Sequence, residues 1–95
     1  MLSLSKTDGV FDDGEVMEAS CIVGPAQPLA RITLLLDDEV VLDEAEGITR
    51  NFSRKLDLAD NDKNFVCRVH HVALPGGVVD MRRMITVQTV TSKGD

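Results

Sequence analysis

Two cysteines, Cys21 and Cys67, stand 46 positions apart in a chain of 95 residues, each within an alternating apolar run. The first lies in Met17-Glu18-Ala19-Ser20-Cys21-Ile22-Val23 and the second in Phe65-Val66-Cys67-Arg68-Val69. Successive side chains of a strand point to opposite faces, so Met17, Ala19, Cys21 and Val23 share one face. Phe65, Cys67 and Val69 share a face of the other strand in the same way. A bond between the sulfurs would join two packed sheets through their inner faces. Spacing and strand setting favour such a bridge over two buried free thiols. Closing a loop of this length stabilises by about 4 kcal/mol in the chain-entropy model.

Ninety-five residues make one domain (1–95), able to bury a core of modest size. Three Phe and no Tyr or Trp leave that core to Val, Leu, Ile and Met. Net charge is −6, and the basic residues are dispersed, with only Arg82 and Arg83 adjacent. Phosphate binding needs clustered Lys and Arg, so nucleic acid is excluded as an expected partner. No apolar run approaches the roughly 20 residues that span a bilayer, so no direct membrane contact by this domain is expected. Met1-Leu2-Ser3-Leu4-Ser5-Lys6 lacks the pattern of a signal peptide. The expectation is a soluble piece of a larger ectodomain, whose parent is anchored by a single membrane pass. An intracellular protein would account for the missing leader equally well.

Along the chain, residues 1–10 give a loose first strand, and Gly9, Asp12, Asp13 and Gly14 are turn material. Glu15–Val23 is a strand. Two prolines exclude a central strand from Gly24-Pro25-Ala26-Gln27-Pro28. Ala30–Leu36, with Ile32, Leu34 and Leu36 on one face, turns at Asp37-Asp38 into a short strand, Glu39–Leu42. Asp43–Gly47 is polar and turn-prone, with a brief helix conceivable. Ile48–Leu58 holds one or two strands, with Leu56 and Leu58 inward. Ala59–Lys63 is a turn rich in Asx residues. Asn64–His71 carries Cys67, and Leu74-Pro75-Gly76-Gly77 is a hairpin loop. Val78–Val90 is the last strand, with Ile85 and Val87 inward, and residues 91–95 form a frayed end or linker. Short strands bounded by turn signals, with no convincing amphipathic helix, predict an all-β sandwich.

From about Glu15 to Thr89 the chain resembles an immunoglobulin-like domain of a cell-surface adhesion receptor. It is closest in style to the C2-type domains of nectin-like and nephrin-like molecules. The string Asn64-Phe65-Val66-Cys67-Arg68-Val69-His70-His71-Val72-Ala73-Leu74-Pro75-Gly76 carries most of the likeness, and Arg83-Met84-Ile85-Thr86-Val87-Gln88 resembles the last strand of such domains. The resemblance implies an antiparallel sandwich of about seven strands, core about 15–89, with one inter-sheet disulfide. It departs from the family at two points. Leu34, thirteen residues after Cys21, stands where the family places Trp. Phe65 holds the tyrosine-corner position without the hydroxyl.

Asn51-Phe52-Ser53 is an N-glycosylation sequon. His70 and His71 are consecutive in a strand, so their rings diverge and do not readily share a metal. Asp60-Asn61-Asp62 with Asn64 lacks the alternating oxygen ligands of a calcium loop and is better taken as a polar turn. Asp12-Asp13-Glu15 and Asp43-Glu44-Glu46 are taken as solvated loops. Cys67 and His70 fall on opposite faces, about 10 Å apart along the backbone, which disfavours thiolate catalysis. No nucleophile elbow or glycine-rich phosphate loop occurs. The expectation is therefore no enzyme, no cofactor and no metal.

Surface recognition remains. The outward residues of the two central strands, Arg31, Thr33, Leu35, Val66, Arg68 and His70, form the candidate interface, with Leu35 and Val66 as exposed apolar atoms between arginines. Together these features predict an extracellular, disulfide-bonded glycoprotein domain of a cell-adhesion or immune-type receptor. It would act by protein–protein contact, homophilic or with another receptor, and as a spacer. The alternative is an intracellular immunoglobulin module of a muscle or cytoskeletal scaffold, with reduced cysteines.

Overall fold

Inward-facing Met17, Ala19, Cys21, Ile32, Leu34, Leu36, Phe65, Cys67, Ile85 and Val87 are all buried, and this one apolar layer organises the molecule. The computed structural model describes residues 1–90. The expected frayed end or linker, residues 91–95, lies outside the described residues. Two sheets enclose the layer. One is three-stranded, with β1 (Leu2–Leu4), β3 (Val16–Ile22) and β6 (Thr49–Lys55) in the order β1-β3-β6. The other contains β2 (Val10–Asp12), β4 (Arg31–Leu36), β5 (Glu39–Glu46), β7 (Lys63–His70) and β8 (Val78–Gln88). Its order is β2-β8-β7-β4-β5, antiparallel throughout except for the parallel pair β2–β8.

The predicted disulfide is present. Cys21 of β3 and Cys67 of β7 bridge the two sheets, with their Cα atoms 6.4 Å apart. Leu34 lies directly opposite Cys67 in the β4–β7 register and is fully buried. Phe65 stacks on Phe52 of β6, ring centroids 5.7 Å apart, so each sheet contributes one ring. Burying side chains of this size contributes about 1.5–3 kcal/mol each.

Four expectations need correction. Among the described residues there are eight strands rather than about seven. The loose first strand is two, because the chain changes sheets between Leu4 and Val10. Gly9 makes the crossing possible: its φ is +72°, and a Cβ there would meet the Met84 carbonyl at 2.8 Å. Fully buried Phe11 then anchors residues that had looked like turn. Asp43–Glu46 is neither turn nor helix; it continues β5, with Ala45 opposite Ile32 and Glu46 opposite Arg31. Its side chains are exposed because β5 is a sheet edge, so no buried face imposed a period on them.

Leu58 is the last correction. It is 48% exposed, at the start of a 3-10 turn, Leu58–Asp60. Asp57 caps this turn, its side chain accepting from the Ala59 N–H, while Asp60 reaches back to the Asp57 N–H. Leu56 faces inward as expected.

Candidate recognition surface

Register places the six candidate residues on the outer face of the five-stranded sheet, in three rows across β4 and β7: Arg31 with His70, Thr33 with Arg68, and Leu35 with Val66. The rows continue onto β8 through Val78, Asp80 and Arg82. On β5, Glu46 extends the first row and Val40 the third.

Leu35 and Val66 are 5% and 4% exposed, so they are not the open apolar atoms the sequence predicts. They occupy the two central strands of a five-stranded sheet, with Val40 on one side and Arg82 on the other. Long side chains on flanking strands cover such positions with their aliphatic stems. The accessible apolar atoms of this face belong to residues that the sequence did not single out: Val40 at 49%, Val78 at 40% and Met84 at 57%. No single-strand period could find them, because their role depends on which strands become neighbours.

The charges on the face are tied to one another. Arg68 makes a two-pronged contact with Asp80, its cross-strand partner, at 2.9 and 3.1 Å. Arg82 adds a third bond to the same carboxylate at 3.4 Å. The Arg68 guanidinium holds the Asp80 carboxyl below the usual carboxylate range, against a smaller upward push from burial. Arg31 reaches Glu44 at 3.2 Å and Glu46 at 4.0 Å. The two-pronged Arg68–Asp80 contact orients that guanidinium, whereas Arg31 and Arg82 are 60% and 61% exposed and held by one-pronged, longer contacts.

At one end the face runs into a groove of about 410 Å³, lined by Leu29, Arg31, His70, His71, Val72 and Gly77 among others. The two histidines do diverge. His70 lies opposite Arg31 on the sheet, whereas His71 turns towards the loop before β4. Its Nε2 lies 2.8 Å from the Pro28 carbonyl, which can only accept, so Nε2 carries the proton. Its Nδ1 accepts from the Ala73 N–H at 3.1 Å. The ring thus fastens two loops together with both nitrogens occupied.

At the opposite end lies a feature that sequence reasoning passed over as a polar turn. Asp60 is 1% exposed and receives two bonds from Arg54 of β6, at 3.0 and 3.3 Å. Burial pushes its carboxyl up; the Arg54 bonds, the Asp57 N–H and Lys63 outweigh this and leave it below the usual range. Asn61 accepts from the Val87 N–H at 2.8 Å, and the Asn64 N–H donates to Asp37. Side-chain oxygens of Asp60 and Asn61, two of the four residues considered for calcium, are thus already engaged within the fold. The spacing Asp57-x-x-Asp60 was the one available signal, as that of a capping box.

Asn51 sits outside this face, exposed on β6 in the other sheet, opposite Ser20 of β3. The Ser20 hydroxyl donates to its Oδ1 at 2.5 Å. Ser53 follows on the same outer side, and Phe52 between them points into the core. No protein-family model matches the chain, and no curated protein matches it.

Proposed function

We propose that the chain is an immunoglobulin-like recognition domain of a cell-surface adhesion or immune-type receptor, working by protein–protein contact and as a spacer. The observation that carries this reading is the outer face of the five-stranded sheet, with its ion-paired arginines and the accessible apolar atoms of Val40 and Met84. Arginines beside apolar side chains match the composition of interface cores. The immunoglobulin-like assignment draws support from the disulfide between strands of opposite sheets and from the division of the first strand between both sheets. A disulfide and an exposed sequon are both suited to an oxidising, extracellular setting.

The test is binding of the multivalently displayed domain to a panel of receptor ectodomains, including its own. Reversing Arg68 and Arg82 to Glu should weaken a detected interaction at least about tenfold, which is 1.4 kcal/mol. Ser20→Lys, on the outer face of the other sheet, should leave it unchanged. Equal loss from both variants would remove the assigned face. Thiol titration of natively purified protein addresses the compartment: no reactive thiol is expected, and two would favour the intracellular scaffold module.

A further inference from the structure

Among the described residues each sheet ends in a strand paired on one side only, and the two long edges are built differently. β5 carries four carboxylates, Glu39, Asp43, Glu44 and Glu46, and its pairing with β4 shifts register twice. Irregularity and like charge are the usual defences of a sheet edge. β6 has no irregularity, and of its three cations Arg50 and Arg54 are engaged within its own chain, which among the described residues leaves Lys55 as the one free charge at its end. Its seven residues pair with β3 in unbroken register, with no proline and no carboxylate.

The direction of its backbone groups follows from two bonds just beyond the strand ends. The Val23 N–H donates to the Ile48 carbonyl and the Leu56 N–H to the Glu15 carbonyl, both at 2.9 Å. These pairs lie in the same register as the strands, so even-numbered residues of β6 face β3. The N–H and C=O groups of Thr49, Asn51, Ser53 and Lys55 therefore face outward. Asn51 is the sequon asparagine. Because the Ser20 hydroxyl engages its Oδ1 from the β3 side, the trigonal amide directs Nδ2, the atom that would carry a sugar, away from β3 and towards the open edge.

We propose that the edge of β6 is a self-pairing surface for a second copy of the chain, and that an N-glycan on Asn51 closes it. The glycan half of this rests on the extracellular reading above. Two β6 strands meeting antiparallel about a two-fold axis at Phe52 set Asn51 opposite Ser53 of the second copy, and Thr49 opposite Lys55. All four residues have outward backbone groups, so the strands exchange about eight hydrogen bonds and the two small sheets merge into one. No carboxylates oppose one another there, whereas a β5–β5 contact would bring four against four. Arg50 and Arg54 do not obstruct the pairing. Each turns inward within its own copy, Arg50 to the Ile32 and Asp43 carbonyls and Arg54 to Asp60. Directly opposed side chains have Cβ atoms about 5 Å apart, which leaves no room for a sugar on Asn51.

The test secretes the 95-residue chain from a glycosylating host beside three variants. Ser53→Ala and Ser53→Pro both destroy the sequon, but only the first keeps the outward N–H. Ser53→Ala with Thr49→Pro removes another outward N–H at the start of the strand, where proline is tolerated, and serves if Ser53→Pro does not fold. Mass is followed by sedimentation up to about 1 mM, where an association worth 4.1 kcal/mol registers. The wild type should carry sugar at Asn51 and stay monomeric. Ser53→Ala should double in mass with concentration, and the folded proline variants should not. Unmodified Asn51 in secreted wild type, a monomeric Ser53→Ala, or a proline variant that pairs as well as Ser53→Ala would each overturn the proposal. None of these outcomes touches the arginine face, whose failure is seen in Arg68 and Arg82 alone.

Discussion

Asp60 shows how one side chain couples protonation to folding. Its folded carboxyl ionises more readily than in the unfolded chain, so its contribution is present above the ordinary Asp value of about 3.9. As pH falls through the depressed folded value the contribution is lost. Acid titration of the melting temperature should thus show a loss below about pH 4 that Asp60→Asn reduces. The two partners are unequal: Arg54 is about a third exposed and can hydrate when alone, while Asp60 cannot. Arg54→Met should therefore cost about 3 kcal/mol in urea unfolding, and more than Asp60→Asn. Equal costs would contradict the burial argument. Leu34 gives the opposite kind of prediction. Leu34→Trp, which would install the Trp of the domains the sequence resembles, should destabilise this closed site by about 1–3 kcal/mol through overpacking. The inward set around it was legible because both flanking strands alternate cleanly. Asp60 was not, since one chain cannot say which of several neighbouring aspartates turns inside.

Among elements, those that bury a full face could be placed from their period: β3, β4, β7 and the inner half of β8. The others could not. β2 has three residues and a partner more than seventy positions away, so no local pattern announces it. Its formation depends on Gly9, and Gly9→Ala should cost about 1–3 kcal/mol, from its positive φ and the close Met84 carbonyl. Hydrogen exchange should rise at Thr86, whose N–H donates to the Gly9 carbonyl, while the β3–β6 pair stays protected. β5 escaped notice beyond Leu42 because an edge strand is exposed on both faces. The same blindness hid the burial of Leu35 and Val66, because the period of one strand does not show which strands become its neighbours. The candidate face was thus legible in its position and wrong in its accessible atoms.

Across the whole molecule, the disulfide is the covalent tie between layers that also meet through side-chain packing and through Arg50, which donates from β6 to the Ile32 and Asp43 carbonyls of the other sheet. Replacing Cys21 and Cys67 by Ala should lower stability by about 4 kcal/mol in urea, a large part of the 5–15 kcal/mol typical of a domain. The Arg68–Asp80 pair contributes differently. It is open to solvent on the arginine side, so Arg68→Ala should cost far less stability in urea than loss of the disulfide. The parallel pairing of β2 with β8 has a mechanical consequence. Because the two strands run in the same direction, the chain enters β2 at one end of the pair and leaves β8 at the other. Tension applied between the two ends of this pair would load its hydrogen bonds together in shear instead of opening them one by one. If that clasp yields, the 46-residue separation between the cysteines bounds a loop that cannot be drawn out, withholding roughly 160 Å of extension.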